Sequence, residues 1–199
     1  MQNFYNSQSK YLLALHSCTE SFGIAIKDTE NPEKIIESKV FNIGRSLSNK
    51  LFSCIETILP RNFWKHIIRI SVVKGPGGFT STRLTISMAR TIAQQINCSL
   101  DSMSSFHIMA PRLYKYLDQN QNFNPFWIKD ILPRRGIIAG KYKLIKIHQE
   151  SDFHEFSEII PPQLISNEEE INPSIKLSLI HISEPTRLLS IADGGVWVE

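Results

Sequence analysis

Ile67-Ile68-Arg69-Ile70-Ser71-Val72-Val73-Lys74-Gly75-Pro76-Gly77-Gly78-Phe79-Thr80-Ser81-Thr82-Arg83-Leu84 is the stretch that decides the fold. Its first seven residues are β-branched and apolar, which predicts a strand. The strand runs into a glycine-rich loop, and a helix is expected from about Thr82 to Ile96. The apolar residues of that helix, Leu84, Ile86, Met88, Ala89, Ile92, Ala93 and Ile96, cover more than one face. One side can face its own sheet, so the other calls for a second layer or a partner.

The loop Gly75-Pro76-Gly77-Gly78-Phe79-Thr80 lies between a strand end and a helix start, where free N–H groups suit an anion. Glycines there admit positive φ and close approach of another backbone or a ligand. Thr80, Ser81 and Thr82 are candidates to cap the helix from their side chains. A phosphate-cradling loop needs G-x-x-x-x-G-K-S/T, and no Lys-Ser/Thr pair follows. A dinucleotide fingerprint needs G-x-G-x-x-G, and Thr80 stands where the last Gly is required. Two readings remain, a rigid strand-to-helix turn without ligand and a binding loop. Arg83, a cation at the unfavourable end of the helix dipole, is expected to have a specific acceptor.

Upstream, Tyr11 to Cys18 reads as a buried strand, Phe22 to Lys27 as a half-buried one, and Lys34 to Phe41 as a third, joined by turns at Ser17–Ser21 and Asp28–Glu33. Leu47, Leu51, Ile55, Ile58 and Leu59 recur at helical spacing, with Ser46 or Ser48 as N-cap and Pro60 as the stop. A short strand at Cys98–Leu100 and a helix from Ser104 or Ser105 to about Leu117 complete a βββ-α-β-α-β-α order. That order predicts a mixed sheet, with three antiparallel strands and two reached by helical crossovers.

The chain has 199 residues, 42% apolar and 21% charged, with a net charge of +3. This is globular composition, enough for one large domain or two smaller lobes of about 100 residues each. No run approaches the roughly 18 apolar residues of a membrane span, and the first residues lack a signal peptide's pattern, so a cytoplasmic protein is expected. Cys18, Cys54 and Cys98 form neither a disulfide framework nor a zinc spacing and are expected as packing residues.

Gly75 to Leu84, followed by Ala89-Arg90-Thr91-Ile92-Ala93, resembles the G-P-G-S-F-T-G-x-R motif and following helix of the TsaB (YeaZ) family. Leu13 to Glu20 is similar to that family's opening strand and D-T-S-T-E segment. Arg45 to Leu51 lies where the family has R-x-H-S-E-x-L, and Leu100 to Ala110 where it has V-S-S-L-E-A-L-A. The resemblance covers about residues 11–118. It implies a two-lobed α/β fold of the actin/Hsp70/sugar-kinase (ribonuclease H-like) type. It also implies a non-catalytic subunit that supports a TsaD-like enzyme, alongside a TsaE-like ATPase, in threonylcarbamoylation of the adenosine next to the anticodon of tRNAs. The partner interface it implies lies on paired helices, through Leu47, Leu51, Ile55, Leu84, Met88 and Ile92; a homodimer through the same helices is the expectation when the chain is alone. This sequence departs from the family at His16 (for Asp), Leu47 and Asn49 (for His and Glu), Gly78 (for Ser) and Ser81 (for Gly). The loss of the Asp removes a phosphate- or magnesium-directing carboxylate.

Residues 1–118 are therefore read as an N-terminal, partner-binding lobe and 119–199 as a smaller, degenerate one that stops short of the family's Pro/Tyr-containing tail. Asp118 to Asn124 reads as a linker. Strands are expected at Phe126–Leu132 and Ile137–Ile147, with a turn at Pro133–Gly136. Glu150 to Pro162 reads as polar and irregular. A last strand is expected at Lys176–Ile182 and a short helix after Ser183. Arg134, Arg135, Lys141, Lys143 and Lys146 form a basic cluster, read either as a solvated face or as a contact with RNA, so tRNA is reached through the complex or directly. Glu168-Glu169-Glu170 is an exposed charge run.

No catalytic set emerges. His148, Asp152 and His154 match no metal spacing, and neighbours His16 and Ser17 point to opposite faces of a strand. No cofactor is expected. The alternative to the accessory subunit is a free-standing enzyme of the same superfamily, a nucleotide-dependent kinase or a glycoprotease-like hydrolase.

Overall fold

Tyr11–His16 (β1) is buried along its whole length, as its unbroken apolar run demands. It pairs antiparallel with Phe22–Asp28 (β2), which pairs antiparallel with Ile35–Phe41 (β3). On its other edge β1 takes Ile67–Val73 (β4) in parallel, and β4 takes Ser99–Met103 (β5) in parallel. The sheet order β3-β2-β1-β4-β5 is the mixed sheet expected. These relations come from a computed structural model that describes residues 9–30, 35–114, 125–132, 135–147, 154–166, 171 and 174–176.

Two helices cover one face of this sheet. Leu47–Ile58 (α1) turns Leu47, Leu51, Cys54, Ile55 and Ile58 inward, and Phe79–Ile96 (α2) turns Met88, Ala89, Ile92 and Ala93 inward. They meet Tyr11, Leu13 and Leu15 of β1, Phe22, Ile24 and Ile26 of β2, and Ile70 and Val72 of β4 in one core. The period-2 and period-3.6 patterns thus converge on a single apolar layer. Leu84, Ile86 and Ile96, the residues that made α2 look apolar on two sides, are half-buried against this same core. The second layer is therefore supplied within the chain. Cys54 is buried in it, Cys98 packs at its border, and Cys18 is buried in the β1–β2 turn.

The chain divides into two compact units, the second beginning at Phe106. Ser105–Tyr114 (α3) therefore contributes its apolar stripe to the second unit, ahead of the boundary at 118 expected from the sequence. Phe106, Met109, Ala110 and Leu113 pack on Phe126, Ile128, Tyr142 and Phe156, with Phe126 edge-on to Phe156 at 5.9 Å between ring centres. The second sheet has the order β8-β7-β6-β9, from Phe126–Leu132 (β6), Gly136–Ile147 (β7), His154–Ile165 (β8) and Ser174–Lys176 (β9). Trp127, Ala139 and Ile171 form a smaller cluster.

β8 corrects the irregular segment expected at 150–162. Its two prolines argue against a strand, yet among the described residues β8 pairs only with β7 and so stands at the sheet's edge. An edge tolerates residues that donate no hydrogen bond. Pro161 and Pro162 stand opposite the single residue Gly140, between the pairs Ala139↔Gln163 and Lys141↔Ile160, which makes a bulge. A Cβ on Gly140 would lie 3.2 Å from the Ile160 carbonyl oxygen.

Smaller corrections concern ends. α2 starts at Phe79 rather than Thr82, and β5 runs 99–103 rather than 98–100. Ser46 is the N-cap of α1 without a side-chain cap bond. The linker at 118–124, the glutamates at 168–170, His148, Asp152, the strand beyond Lys176 and the helix after Ser183 lie outside the described residues, as does the side chain of His154. Among the described residues no helix is long and apolar enough to cross a membrane.

Candidate functional site

The glycine loop follows directly from the strand order. β4 lies beside β1, so the loop after Val73 lands on the turn after His16. The Gly78 N–H donates to the Cys18 carbonyl at 2.7 Å. A Cβ on Gly77 would come within 2.3 Å of that carbonyl oxygen and 2.4 Å of the Cys18 Cβ, so only glycine fits. Gly75, at φ +102°, meets the same requirement through its backbone.

The other side of the loop is held as firmly. The Ser105 N–H donates to the Gly75 carbonyl and its hydroxyl to the Pro76 carbonyl, both at 2.7 Å. Lys74 N–H donates to the Met103 carbonyl at 2.9 Å. The Gly75–Pro76 peptide is cis. Ser17 and Ser81 bond reciprocally: the Ser81 hydroxyl donates to the Ser17 carbonyl at 2.7 Å, and the Ser17 hydroxyl to the Ser81 carbonyl at 3.1 Å. The loop's polar groups are thus turned onto the protein's own backbone, which is the rigid-turn arrangement.

The capping expectation for Thr80, Ser81 and Thr82 is not met. Gly78, which has no side chain to make a cap bond, is the N-cap of α2. Ser81 is committed to Ser17, and Thr82 is buried with its hydroxyl 3.7 Å from the Cys18 sulfur. Among the described residues Arg83 has neither a carboxylate nor a carbonyl partner; its guanidinium lies over the Phe79 ring, 4.1 Å from the centre. His16, where the family has Asp, is buried at 1% exposure.

Beside the loop is a cleft of about 830 Å³, lined by Cys18, Thr19, Glu20, Leu47, Phe79 and Leu84, with Gly44, Ser48, Gly78, Thr80 and Ser81. Glu20 is the single charged residue in this lining, and Phe79 is 61% exposed. Sequence reading named the loop but not Thr19, Glu20 or Ser48 as its walls. The signal was there in principle, since β1 must pair with β4 and bring the two turns together.

The six residues expected at a partner interface divide unevenly. Leu47, Leu51, Ile55, Met88 and Ile92 are buried in the chain's own core, and only Leu84 is partly exposed. What the helices turn outward is different: Phe52, 46% exposed and stacked on Trp64, from α1, and Arg83, Ser87, Arg90, Thr91 and Gln94 from α2.

In the basic cluster, Lys141 and Lys143 alternate along β7 and so share one face. Lys141 lies over the Trp127 ring at 5.4 Å, and Lys143 is exposed. Arg135 is exposed at the β6–β7 turn; Arg134 and the Lys146 side chain lie outside the described residues. Among the described residues no group of three or more His, Cys, Asp or Glu is placed to hold a metal ion. Burial pushes the Cys54 and Cys98 thiols above their ordinary pKa, for Cys54 against the pull of Lys50 and Lys39.

No family model matches the chain. A curated relative, the tRNA threonylcarbamoyladenosine biosynthesis protein TsaB of Buchnera aphidicola, is 23% identical over an alignment of 144 residues that covers 67% of this chain. The match spans 63% of that relative's length. Among solved structures, YeaZ from Pseudomonas aeruginosa superposes with a TM-score of 0.59 at 19% identity, covering 92% of this chain and 90% of that one. A Pseudomonas aeruginosa protein described as similar to peptidase YEAZ gives 0.57 at 19%, covering 84% of this chain and 74% of that one. The fold is therefore the two-sheet α/β fold of the YeaZ structures.

Proposed function

From the TsaB (YeaZ) family, which the curated relative and the solved structures support, we propose that this chain is a non-catalytic subunit in tRNA threonylcarbamoyladenosine biosynthesis. It binds and orders a TsaD-like catalytic subunit that works with a TsaE-like ATPase on tRNA. The observation that carries this reading is the inward-bonded glycine loop. Its Gly75 and Pro76 carbonyls are taken by Ser105 and its Gly78 N–H by Cys18, while the position of the family's Asp holds a buried His16. A loop fixed in this way positions α2 rather than cradling a phosphate.

The interface residues need re-choosing on physical grounds. Leu51→Glu would put a charge into a site 2% exposed and unfold the unit, so loss of binding would mean nothing. Leu84→Glu and Phe52→Glu change surface that α1 and α2 present. Co-purification with a TsaD-like protein tests the reading: wild type is retained and both variants lose binding with unchanged circular dichroism. Undiminished binding by both contradicts the interface, and no binding by wild type contradicts the function.

The cleft of about 830 Å³ beside the loop favours one second reading, a nucleotide-dependent enzyme of the same fold. Calorimetric binding of ATP to the isolated chain, abolished by Gly78→Val, is its signature.

A further inference from the structure

The second sheet sorts its charges by face. Residues paired directly across antiparallel strands share a face. Lys129 pairs with Ala139, Lys141 with Trp127 and Ile160, and Lys143 with Ser157, so the three lysines lie on one face of β6–β8. The same strands hold three acids, Asp130, Glu155 and Glu158. Asp130 and Glu158 pair with Ile138 and Tyr142, which pack with α3 on the opposite face. Both are engaged there: the Asp130 carboxylate accepts the Ile131 N–H at 2.9 Å, and Glu158 accepts the Tyr142 hydroxyl at 3.0 Å. Glu155 stands at the far end of the lysine face, opposite Lys146. Lys143 is exposed, as is Arg135 at the β6–β7 turn, and Lys129 and Lys141 are half-buried. The apolar cluster beneath the lysines, Trp127 and Ala139, takes only Ile171 from outside the strands among the described residues.

Resting on the reading above of a subunit in tRNA modification, we propose that this lysine face of the second sheet binds the phosphate backbone of RNA. A sheet face that is only solvated gains from opposite charges set directly across from each other. This face forgoes them, since its lysines stand across from Ala139, Trp127, Ile160 and Ser157. The residue type favours RNA over a protein partner: lysine is depleted in protein–protein interfaces, whereas phosphates are neutralised by lysine as readily as by arginine. Lys141 and Lys143, alternate residues of one strand, are about 7 Å apart, so each meets its own phosphate. Trp127 is 8% exposed and lies 5.4 Å from the Lys141 ammonium, so its ring orients that lysine rather than stacking on a base. Contacts of this kind position an RNA without reading its sequence.

The test uses the full chain and an unmodified tRNA transcript, with binding followed by fluorescence anisotropy between about 50 and 200 mM salt. Lys141→Gln/Lys143→Gln is expected to weaken binding about tenfold at low salt and to lower the slope of log affinity against log salt by about two. Lys143→Gln alone changes an exposed side chain, so it should keep the circular dichroism of wild type and lower the slope by about one. Lys141→Arg/Lys143→Arg keeps wild-type binding. Lys39→Gln/Lys65→Gln removes the same charge from exposed sites of the first unit and leaves binding unchanged. Equal losses in the two Gln pairs mean a net-charge effect and overturn the proposal, as does undetectable binding by wild type at low salt. Lys141→Gln/Lys143→Gln that leaves tRNA binding intact but abolishes co-purification with a TsaD-like protein, or binding to anionic lipid vesicles, assigns the face to protein or lipid and overturns it too. Wild type retained by a TsaD-like protein, with tRNA binding insensitive to these lysines, defeats this proposal and keeps the scaffold reading. No retention, with lysine-dependent tRNA binding present, defeats the scaffold reading and keeps the RNA site.

Discussion

The two sheets of this molecule use the same materials to different ends. In the first, β1 is flanked on both edges and every one of its residues is buried. In the second, the longest strands, β7 and β8, lie at the open end, broken by three register shifts and carrying exposed Ile145, Ile159 and Leu164. The first sheet is built to hold one loop in one place. The second has a helix-covered aromatic face and an edge strand protected by prolines and a bulge.

The largest expected effect separates the two cores. Phe126 is fully buried among Tyr114, Tyr142 and Phe156, and Phe126→Ala should cost about 3–5 kcal/mol. Amide exchange should then accelerate across β6–β8 while β1, β2 and β4 stay protected. Equal loss of protection in both sheets would show that the units unfold as one.

Next comes Gly77→Ala, which forces a Cβ against the Cys18 backbone and should cost about 1–3 kcal/mol or more by denaturant titration. Gly44→Ala, with nothing within 4 Å of its Cβ, meets only the strain of φ +45° and should cost less, about 1–2 kcal/mol. If the two glycines cost the same, the close approach of the loop to the β1–β2 turn is not what selects Gly77.

Much of this was legible beforehand, and the reasons differ by element. β1, β4 and α2 are each buried by neighbours that read the same periodicity, so pattern and packing agree. β8 was not legible, because Pro161 and Pro162 look like breakers until the strand is known to be an edge. The family resemblance implies an interface through residues of α1 and α2 that face mostly inward, because amphipathicity reports burial, not what does the burying. Leu51 and Ile55 are buried by the chain's own β-sheet. For the site, glycines and motif order located the loop, but its bonding to Ser105 depended on a register between β4 and β5 that no local signal carries.

A smaller effect tests the second clamp on the loop. Ser105→Ala removes one hydrogen bond and leaves the Pro76 carbonyl without that donor, for about 1 kcal/mol, with faster exchange at Gly78 as the local readout. The smallest is chemical. Because burial raises the Cys54 and Cys98 thiols, both stay protonated at neutral pH and should alkylate slowly in the folded chain. A raised acid pKa in the folded state contributes stability that is intact below the unfolded thiol's pKa. That contribution is lost as pH rises through the folded value, so stability should decline only on the alkaline side. Fast labelling of Cys54 at neutral pH would show that α1 opens readily, in contrast to the rigid first unit described above.

The central claim is that this chain acts by supporting an enzyme rather than by doing chemistry. Reconstitution tests it directly: a TsaD-like protein, a TsaE-like ATPase, threonylcarbamoyl donor and tRNA, assayed for modified adenosine with and without this chain. The account predicts modification only when the chain is present, and its loss with Phe52→Glu. Equal modification without the chain, or turnover by the chain alone, would contradict it.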